Sequence, residues 1–139
     1  MINKINRSNA EWKSKLTPEQ YKVTREHKTE QPFVNQYYTT TEQGIYACVC
    51  CDQPLFDSNT KYKSGSGWPS FWSPIIKNSI GIKMDYSFSM IRKELHCNNC
   101  QAHLGHLFLD GPPPTGLRYC INSTSINLKK YKTHSNPSV

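Results

Sequence analysis

The six cysteines of this sequence are its most chemically informative residues. Four of them form two Cys-x-x-Cys pairs, Cys48/Cys51 and Cys97/Cys100. This spacing is typical of a structural zinc site, in which two tight turns each bring two sulfur atoms to one ion. Four sulfur ligands leave no open coordination position, so the pattern predicts one structural Zn²⁺ and not a catalytic one. Disulfides or free thiols are the alternative interpretation.

The remaining cysteines are Cys50, beside the first pair, and Cys120, in the segment 118–122. If that segment is a strand, Arg118, Cys120 and Asn122 point to one side and the apolar residues between them to the other. A nearby positive charge lowers the pKa of a thiol from its free value of about 8.5 and enriches the nucleophilic thiolate. The pattern therefore predicts a reactive Cys120, against the alternative of an inert, half-buried cysteine.

Two histidines, in His103-Leu-Gly-His106, are candidate acid–base partners for that thiol. Imidazole gains and loses a proton near neutral pH, as such a partner must. On a regular strand an offset of three residues puts the two rings on opposite faces, and Gly105 between them predicts a bulge that realigns them. One catalytic and one structural histidine, or a second metal site, remain as alternatives.

An aromatic loop follows Gly65 and contains Trp68, Phe71 and Trp72. Two glycines and a proline constrain the loop, so its aromatic side chains can form the apolar wall of a substrate pocket. We expect Trp68 and Phe71 to bind substrate, although at least one of the three aromatics must instead cap the core.

Two short helices are predicted at the N-terminus. Ser8 opens a capping box, with a helix through about Leu16. Thr17 at the N-cap and Pro18 at the first helical position begin a second helix, which should run to about His27.

Short strands are predicted after Glu30. The clearest is 80–88, in which apolar residues alternate with polar ones, and the three prolines of 110–116 make that segment a connection. Further strands are expected at 44–49, 103–109 and 117–121. The predicted fold is mainly β and antiparallel. We expect a flexible N-terminus over 1–7, a single domain over 8–128 and a basic polar tail over 129–139.

The composition sets broad limits on function. The chain has 139 residues and a formal charge of +7, which four zinc-bound thiolates and Zn²⁺ would reduce to about +5. Lysines are scattered rather than clustered, so a solvated surface is favoured over a nucleic-acid site. No signal peptide or membrane span is recognisable. We expect a cytoplasmic monomer with reduced thiols and neither nucleic acid nor membrane as a partner.

Three motifs, in this order, resemble one family. Residues 67–71 (GWPSF), 103–106 (HLGH) and 116–123 (GLRYCINS) are similar to the methionine-R-sulfoxide reductases of the B type, and the likeness covers roughly 11–125. The two cysteine pairs resemble the zinc-bearing members. The resemblance implies two antiparallel β-sheets packed as a tent, with short N-terminal helices.

The resemblance also implies a reaction. Cys120 would attack the sulfur of methionine R-sulfoxide, free or in proteins, and would be left as a sulfenic acid. His103 or His106 would protonate the departing oxygen. Arg118 and Asn122 would help to orient and stabilise the reacting groups, and Trp68 would hold the substrate methyl group. Thioredoxin or another thiol would then reduce the enzyme.

One position departs from a common family pattern. Many members have a resolving cysteine directly before the GWPSF motif, and this chain has Ser66 there. Only Cys50 remains, next to the metal ligand Cys51, so we predict no efficient internal disulfide and direct attack by an external thiol. The rival functions are a zinc-ribbon binding module, a non-catalytic reader of methionine sulfoxide and a thiol peroxidase.

Overall fold

Two short helices open the fold, as predicted. The computed structural model describes residue 5, residues 7–86 and residues 90–131. Helix α1 spans Asn9–Lys15 and helix α2 spans Pro18–Arg25. The side chains of Ser8 and Thr17 cap them, and in each helix the side chain of the third residue accepts a hydrogen bond from the N–H of the cap residue. Neither helix, nor any other in the described ranges, is long and apolar enough to cross a membrane.

Antiparallel strands, joined by loops and short 3-10 helices, follow the two α-helices, which confirms the mainly β class. A three-stranded sheet has the order β2-β1-β9, and a six-stranded sheet has the order β3-β4-β8-β7-β6-β5. The strands predicted at 44–49, 103–109 and 117–121 are present and slightly shorter. The nine strands in these ranges are β1 (Gly44–Cys48), β2 (Pro54–Asp57), β3 (Lys61–Tyr62), β4 (Ser70–Phe71), β5 (Ile80–Asp85), β6 (Arg92–Cys97), β7 (His103–Phe108), β8 (Arg118–Ile121) and β9 (Ile126–Lys130).

The core lies between the inner faces of the two sheets. From the smaller sheet, Tyr46 and Phe56 point inward; from the larger, Phe71 and Tyr119 do. Phe56 stacks on Phe71 with ring centroids 4.3 Å apart, and Tyr46 meets Phe71 edge-to-face at 5.1 Å. Aromatic pairs in these geometries add to the free energy gained from burial alone. This aromatic layer holds the large sheet in a fixed position behind the site described below.

Strand β5 corrects one expectation. Its predicted span was 80–88, but it ends at Asp85, and residues 87–89 lie outside the described part of the chain. Two residues of its apolar face, Ile82 and Met84, are 51% and 48% exposed. β5 is an edge strand of the six-stranded sheet, with a neighbouring strand on one side only.

Strand β9 also differs from expectation. The polar tail was expected from Lys129, but Lys129 and Lys130 pair with Ile45 and Gly44 on β1. The strand was missed because its sequence, INLKK, shows little apolar alternation. Residues 132–139 of the expected tail are outside the described ranges.

Candidate active site

Cys120 lies on β8, an inner strand of the large sheet. Its cross-strand partner is Ser70 on one side and His106 on the other. Directly opposed residues of neighbouring strands share a face of the sheet. The flanking residues Tyr119 and Ile121 point the other way, into the core, so the alternation predicted for this segment is confirmed. The thiol therefore sits between a hydroxyl and an imidazole on the outer face.

The same cross-strand row continues over the whole large sheet. Every step in it is an antiparallel pair in register, so all of its members share the outer face. All of them are polar or ionisable. The row reads Tyr62, Ser70, Cys120, His106, Glu94 and Lys83.

A bulge in β7 brings the second histidine onto this face. The register of β7 against β6 shifts between His103 and Gly105, which makes Leu104 the extra residue. The rings of His103 and His106 consequently lie on one side, with centroids 5.6 Å apart. A Cβ on Gly105 would sit 1.9 Å from the carbonyl oxygen of Cys120, so only glycine allows this approach of the strands. The predicted bulge is confirmed.

Hydroxyl groups surround the sulfur of Cys120. The Oγ of Ser66 lies 3.9 Å from that sulfur and 2.8 Å from the Oγ of Ser64, which in turn accepts from Ser70 at 2.8 Å. Burial raises the pKa of the Cys120 thiol above its ordinary value. The Ser66 hydroxyl and the Arg118 charge act in the opposite direction and offset only part of that rise.

Arg118 pairs with Asp110 and also acts on Cys120. Its Nε and Nη2 lie 2.8 and 3.2 Å from the carboxylate oxygens of Asp110, and its guanidinium stacks over Phe108 at 4.2 Å. The Asp110 hydrogen bond raises the pKa of Arg118. The charge does favour the Cys120 thiolate, as expected, but burial outweighs it, so the predicted lowering of the thiol pKa is wrong.

His106 is held by a carboxylate. Its Nε2 lies 2.9 Å from Oδ2 of Asp85, and Arg92 approaches the same oxygen at 3.2 Å. Burial lowers the pKa of His106, and the Arg92 charge adds to this, while the Asp85 hydrogen bond opposes both. The net direction makes His106 a neutral imidazole near pH 7.

His103 is held by a different carboxylate. Its Nδ1 lies 2.8 Å from Oε2 of Glu94, and Nδ1 of His27 reaches the same oxygen at 2.9 Å. His27 follows α2 with a φ of 59°, a left-handed backbone that turns its ring back onto the sheet. The two histidines of the HLGH motif thus each have an acidic partner, from β5 for His106 and from β6 for His103.

A small cavity opens over the thiol. Trp68 forms one side of it, as predicted, and a hydrogen bond to Glu30 fixes the position of its ring. Phe71 does not reach the cavity, because its side chain is fully buried against Phe56. Phe71 therefore packs in the core, and the expectation that it binds substrate is wrong. The lining includes Trp68, Arg92, His106, Phe108, Cys120 and Asn122.

Glu30 anchors both Trp68 and Asn122. Its carbonyl accepts from Nε1 of Trp68 at 3.0 Å, and its N–H donates to Oδ1 of Asn122 at 3.2 Å. The buried carboxylate accepts from the N–H and hydroxyl of Thr124 at 2.8 and 2.7 Å. The amide of Asn122 also donates to the carbonyl of Leu104 at 3.1 Å. Asn122 thus lines the cavity while its amide is bonded to two backbone segments.

Four cysteines gather at a second place, between the two sheets. Sγ of Cys48 lies 3.6 Å from Sγ of Cys100, Sγ of Cys51 lies 3.6 Å from Sγ of Cys97, and all four fall within 4.8 Å of one another. A tetrahedral zinc site with Zn–S bonds of about 2.3 Å requires sulfur atoms about 3.8 Å apart. The four thiols therefore have the geometry to hold a metal ion, and the spacing fits Zn²⁺.

The two metal-binding turns are built alike. In the first, the N–H of Asp52 donates to the carbonyl of Cys48 at 2.8 Å; in the second, Gln101 donates to Cys97 at 2.7 Å. Asp52 and Gln101 have φ values of 65° and 68°. Cys48 ends β1 and Cys97 ends β6, so the cluster joins the small sheet to the large one.

Cys50 belongs to the cysteine cluster and not to the cavity. It is fully buried, and its sulfur interacts with the thiols of Cys48 and Cys100 and with the hydroxyl of Thr24. It does not complete the tetrahedral set, in keeping with its poorer spacing in the sequence. Its sulfur is thus held at the join of the two sheets, whereas Cys120 faces outward on the large one.

Four residues of the site carry no local sequence signal. Asp85 and Glu94 occupy ordinary polar positions of alternating strands, and Glu30 and His27 lie in the loop after α2. Only the register of β5, β6 and β7 reveals the two carboxylates, because it places them opposite or beside the histidines. The bulge at Leu104 is part of that register, so the sequences of the single strands do not show which residues face one another.

Comparison with known proteins agrees with this arrangement. The model of the SelR domain matches residues 16–130. A protein of Hahella chejuensis named peptide methionine sulfoxide reductase MsrB is 54% identical over 125 residues, covering 90% of each chain. Proteins of the same name from Agrobacterium fabrum and Pseudomonas putida are 52% and 53% identical over 88% and 92% of this chain, and 91% and 96% of their own.

The match takes in the cysteine cluster, the aromatic loop, the histidine pair and Cys120, and it spans almost the full length of each relative. The chain belongs to the SelR-domain family, the MsrB peptide methionine sulfoxide reductases.

Proposed function

We propose that the protein reduces methionine R-sulfoxide, free or within proteins, to methionine. The observation that carries this proposal is a thiol with an imidazole as its direct cross-strand partner, beneath a tryptophan-walled cavity. Membership of the MsrB family supports the same reaction. One epimer is expected to react, because each reductase type handles one configuration at sulfur.

The Cys120 thiolate attacks the sulfoxide sulfur. The substrate sulfur gains two electrons and leaves as the thioether, Cys120 loses two, and the oxygen ends on Cys120 as a sulfenic acid. A proton must reach that oxygen as its bond to the substrate sulfur breaks. The Cys120 thiol gives up its proton to an imidazole on the outer face, His103 or His106, and the imidazolium so formed passes that proton to the departing oxygen. Trp68 offers an apolar surface for the substrate methyl group, and the Arg118 charge favours the thiolate.

An external thiol then completes the cycle. It attacks the sulfenic acid, releases water and forms a mixed disulfide, and a second thiol regenerates Cys120 and leaves as a disulfide. Ser66 lies 3.9 Å from the sulfur, at the position where many members of the family have a resolving cysteine. Cys50 is engaged in the cysteine cluster. Thioredoxin or a small thiol is therefore proposed as the direct reductant.

The bound metal is proposed to be one Zn²⁺ with a structural role. Four thiolates would complete its coordination shell, so it takes no part in the reaction. Reduced ligand thiols and a reactive Cys120 fit a cytoplasmic location, where thiols stay reduced. The protein is also proposed to act as a monomer.

Epimer-resolved turnover tests the proposal. The metal-loaded protein is incubated with R- and S-methionine sulfoxide and dithiothreitol, and each epimer is followed by chiral chromatography. We expect loss of the R epimer alone, abolished by Cys120→Ser and retained by Cys50→Ser. Consumption of neither epimer would refute the reductase proposal and favour a binding module. Salt-dependent nucleic-acid binding unaffected by Cys120→Ser would identify that module.

A further inference from the structure

Glu30 carries a buried carboxylate that the reaction does not use. It lies in the loop after α2, where its neighbour Thr29 lines the cavity over Cys120. Glu30 is only 7% exposed and does not itself line that cavity. A buried carboxylate needs hydrogen-bond donors that replace its lost hydration. For Glu30 these donors come from the short 3-10 turn Ser123–Ser125, which directly follows Asn122.

The main chain of Glu30 bonds to two residues that line the cavity. Its carbonyl accepts a hydrogen bond from Nε1 of Trp68 at 3.0 Å, and its N–H donates to Oδ1 of Asn122 at 3.2 Å. Trp68 lies on the aromatic loop, whereas Asn122 directly follows β8. The N–H and the carbonyl of a single residue therefore set the positions of two side chains on the cavity wall.

The side chain of Glu30 fixes that main chain against the turn Ser123–Ser125. Oε1 accepts from the N–H and the hydroxyl of Thr124 at 2.8 and 2.7 Å, and Oε2 accepts from the N–H of Ser123. Hydrogen bonds to an ionised carboxylate are roughly twice as strong as those between neutral groups. Because Ser123 follows Asn122 in the chain, the main chain and the side chain of Glu30 together hold this segment at three successive residues.

The charge of Glu30 works against the catalytic thiolate. It raises the pKa of Cys120, which adds to the effect of burial. Burial also raises the pKa of Glu30 itself, and the hydrogen bonds from Thr124 and Ser123 offset only part of that rise. The carboxylate thus disfavours the nucleophile electrostatically, so any gain in turnover that it brings must come from geometry.

We propose that Glu30 is a positioning residue: its carboxylate, bound to the turn Ser123–Ser125, holds Trp68 and Asn122 in the relative position that methionine R-sulfoxide requires. This role rests on the proposed function. Glu30 touches no substrate and acts through the two side chains that line the cavity. A displacement of about 1 Å in a positioning group can lower turnover by about 10²-fold, so a contact outside the cavity can control the rate inside it.

Glu30→Gln tests the carboxylate with almost no change in side-chain size. The turn reaches Glu30 with donor groups, and an amide offers only one oxygen, so the NH₂ group of glutamine would face a donor. The turn should then move away from residue 30. Glu11→Gln is the matched control, because the Glu11 carboxylate also accepts from an N–H and a hydroxyl, both of Ser8, at an exposed helix end.

Nuclear magnetic resonance detects the two positioned side chains without any turnover. ¹H–¹⁵N spectra of the metal-loaded protein show the indole N–H of Trp68 and the side-chain amide of Asn122, which Trp68→Phe and Asn122→Ser identify. In Glu30→Gln we expect both signals to shift and the indole N–H to exchange faster with solvent. Glu11→Gln should leave both in place. Unchanged signals in Glu30→Gln, or a shift of only one of the two, would overturn the proposal.

Turnover and thiol reactivity should change in opposite directions. For Glu30→Gln we expect kcat/KM with methionine R-sulfoxide to fall by about 10- to 100-fold. Alkylation of Cys120 by iodoacetamide at pH 8 should become faster, because a charge that disfavours the thiolate is gone. Glu11→Gln, far from the cavity, should keep both rates within about twofold. Unchanged turnover or slower alkylation in Glu30→Gln contradicts the positioning role.

Thr124→Val breaks the same contact from the other side. It removes the hydroxyl that donates to Oε1 and keeps both the carboxylate and the shape of residue 124. The Trp68 and Asn122 signals should move less than in Glu30→Gln, and kcat/KM should fall by about two- to tenfold, equivalent to one hydrogen bond. If neither signal moves in this variant, the turn does not position the cavity wall.

A failure of the proposed function itself looks different. The unaltered protein would then show no R-sulfoxide turnover, while the Trp68 and Asn122 signals and the alkylation rate could still be measured. Thermal unfolding of each variant confirms that these quantities are measured on folded protein.

Discussion

Cys120 and His106 are cross-strand partners on the neighbouring inner strands β8 and β7. The backbone hydrogen bonds of the sheet, and not a loop, set the separation of thiol and imidazole. A sheet with strands on both sides of each partner resists local displacement. Sites on such rigid elements hold their geometry better than sites on loops, so substrate binding needs to order little beyond the cavity wall.

Replacing Ser66 by cysteine should create an internal disulfide. The Ser66 oxygen lies 3.9 Å from the Cys120 sulfur, so a thiol there can attack the sulfenic acid with little movement. After one turnover without reductant, Ser66→Cys should lose two free thiols and give no dimedone adduct. Ser64→Cys is the control, because its oxygen bonds to Ser66 and Ser70. A dimedone-reactive Cys120 in Ser66→Cys would contradict this.

The raised pKa of Cys120 predicts slow alkylation at neutral pH. The rate with iodoacetamide should keep rising above pH 8.5, the ordinary pKa of a free thiol being about that value. Ser66→Ala removes a hydroxyl that favours the thiolate. It should slow alkylation at pH 8 by roughly two- to tenfold, equivalent to one hydrogen bond of about 0.5–1.5 kcal/mol.

Mass spectrometry of the peptide that contains Cys120 measures this rate separately from the other thiols. Ser73→Ala serves as control, since its hydroxyl donates to the carbonyl of Pro74. A rate that is already constant above pH 7 would show that the thiol pKa is not raised.

Loss of a cluster cysteine should unfold the protein at lower temperature. Cys97→Ser removes one of four metal ligands that join the two sheets, and metal binding to such sites is coupled to folding. We expect loss of bound metal and at least about 3 kcal/mol, roughly 10 °C in Tm for a domain of this size. Cys50→Ser should keep its metal and most of its stability. Elemental analysis and thermal unfolding check both, and a metal-loaded Cys97→Ser would disprove the assignment.

The contact of His27 with Glu94 should stabilise the fold only at low pH. The hydrogen bond to Glu94 raises the pKa of His27 in the folded state. Its contribution is therefore complete below the unfolded value of about 6.5 and is lost as pH rises through the folded pKa. Because His27 is half exposed, we expect less than about 1 kcal/mol.

Urea unfolding of the unaltered protein and His27→Gln at pH 6 and pH 9 measures this. The difference between them should be larger at pH 6. Lys28→Gln, which removes a charge from the same segment, should show no such dependence. A difference that grows toward pH 9 would contradict the direction of the shift.

Local patterns were enough to predict the helices, the strand around Cys120, the bulge beside Gly105 and the two cysteine pairs. Each of these depends on residues a few positions apart, in capping, alternation or ligand spacing. The pairing of Asp85 with His106 and Glu94 with His103 depends on strand register and so had no local signal. The direction of the Cys120 pKa shift was predicted wrongly for a similar reason, because burial is a property of the assembled sheets.

The join between the sheets has a consequence for a protein that works where oxidants are present. The same oxidants that create methionine sulfoxide also attack thiolates, and an oxidised thiolate no longer binds a metal ion. Cys51 is the partly exposed member of the cluster, so damage can begin there. The dose of oxidant that separates the two sheets therefore limits how much methionine sulfoxide the protein can reduce. The lifetime of the enzyme then depends on the severity of the oxidative stress.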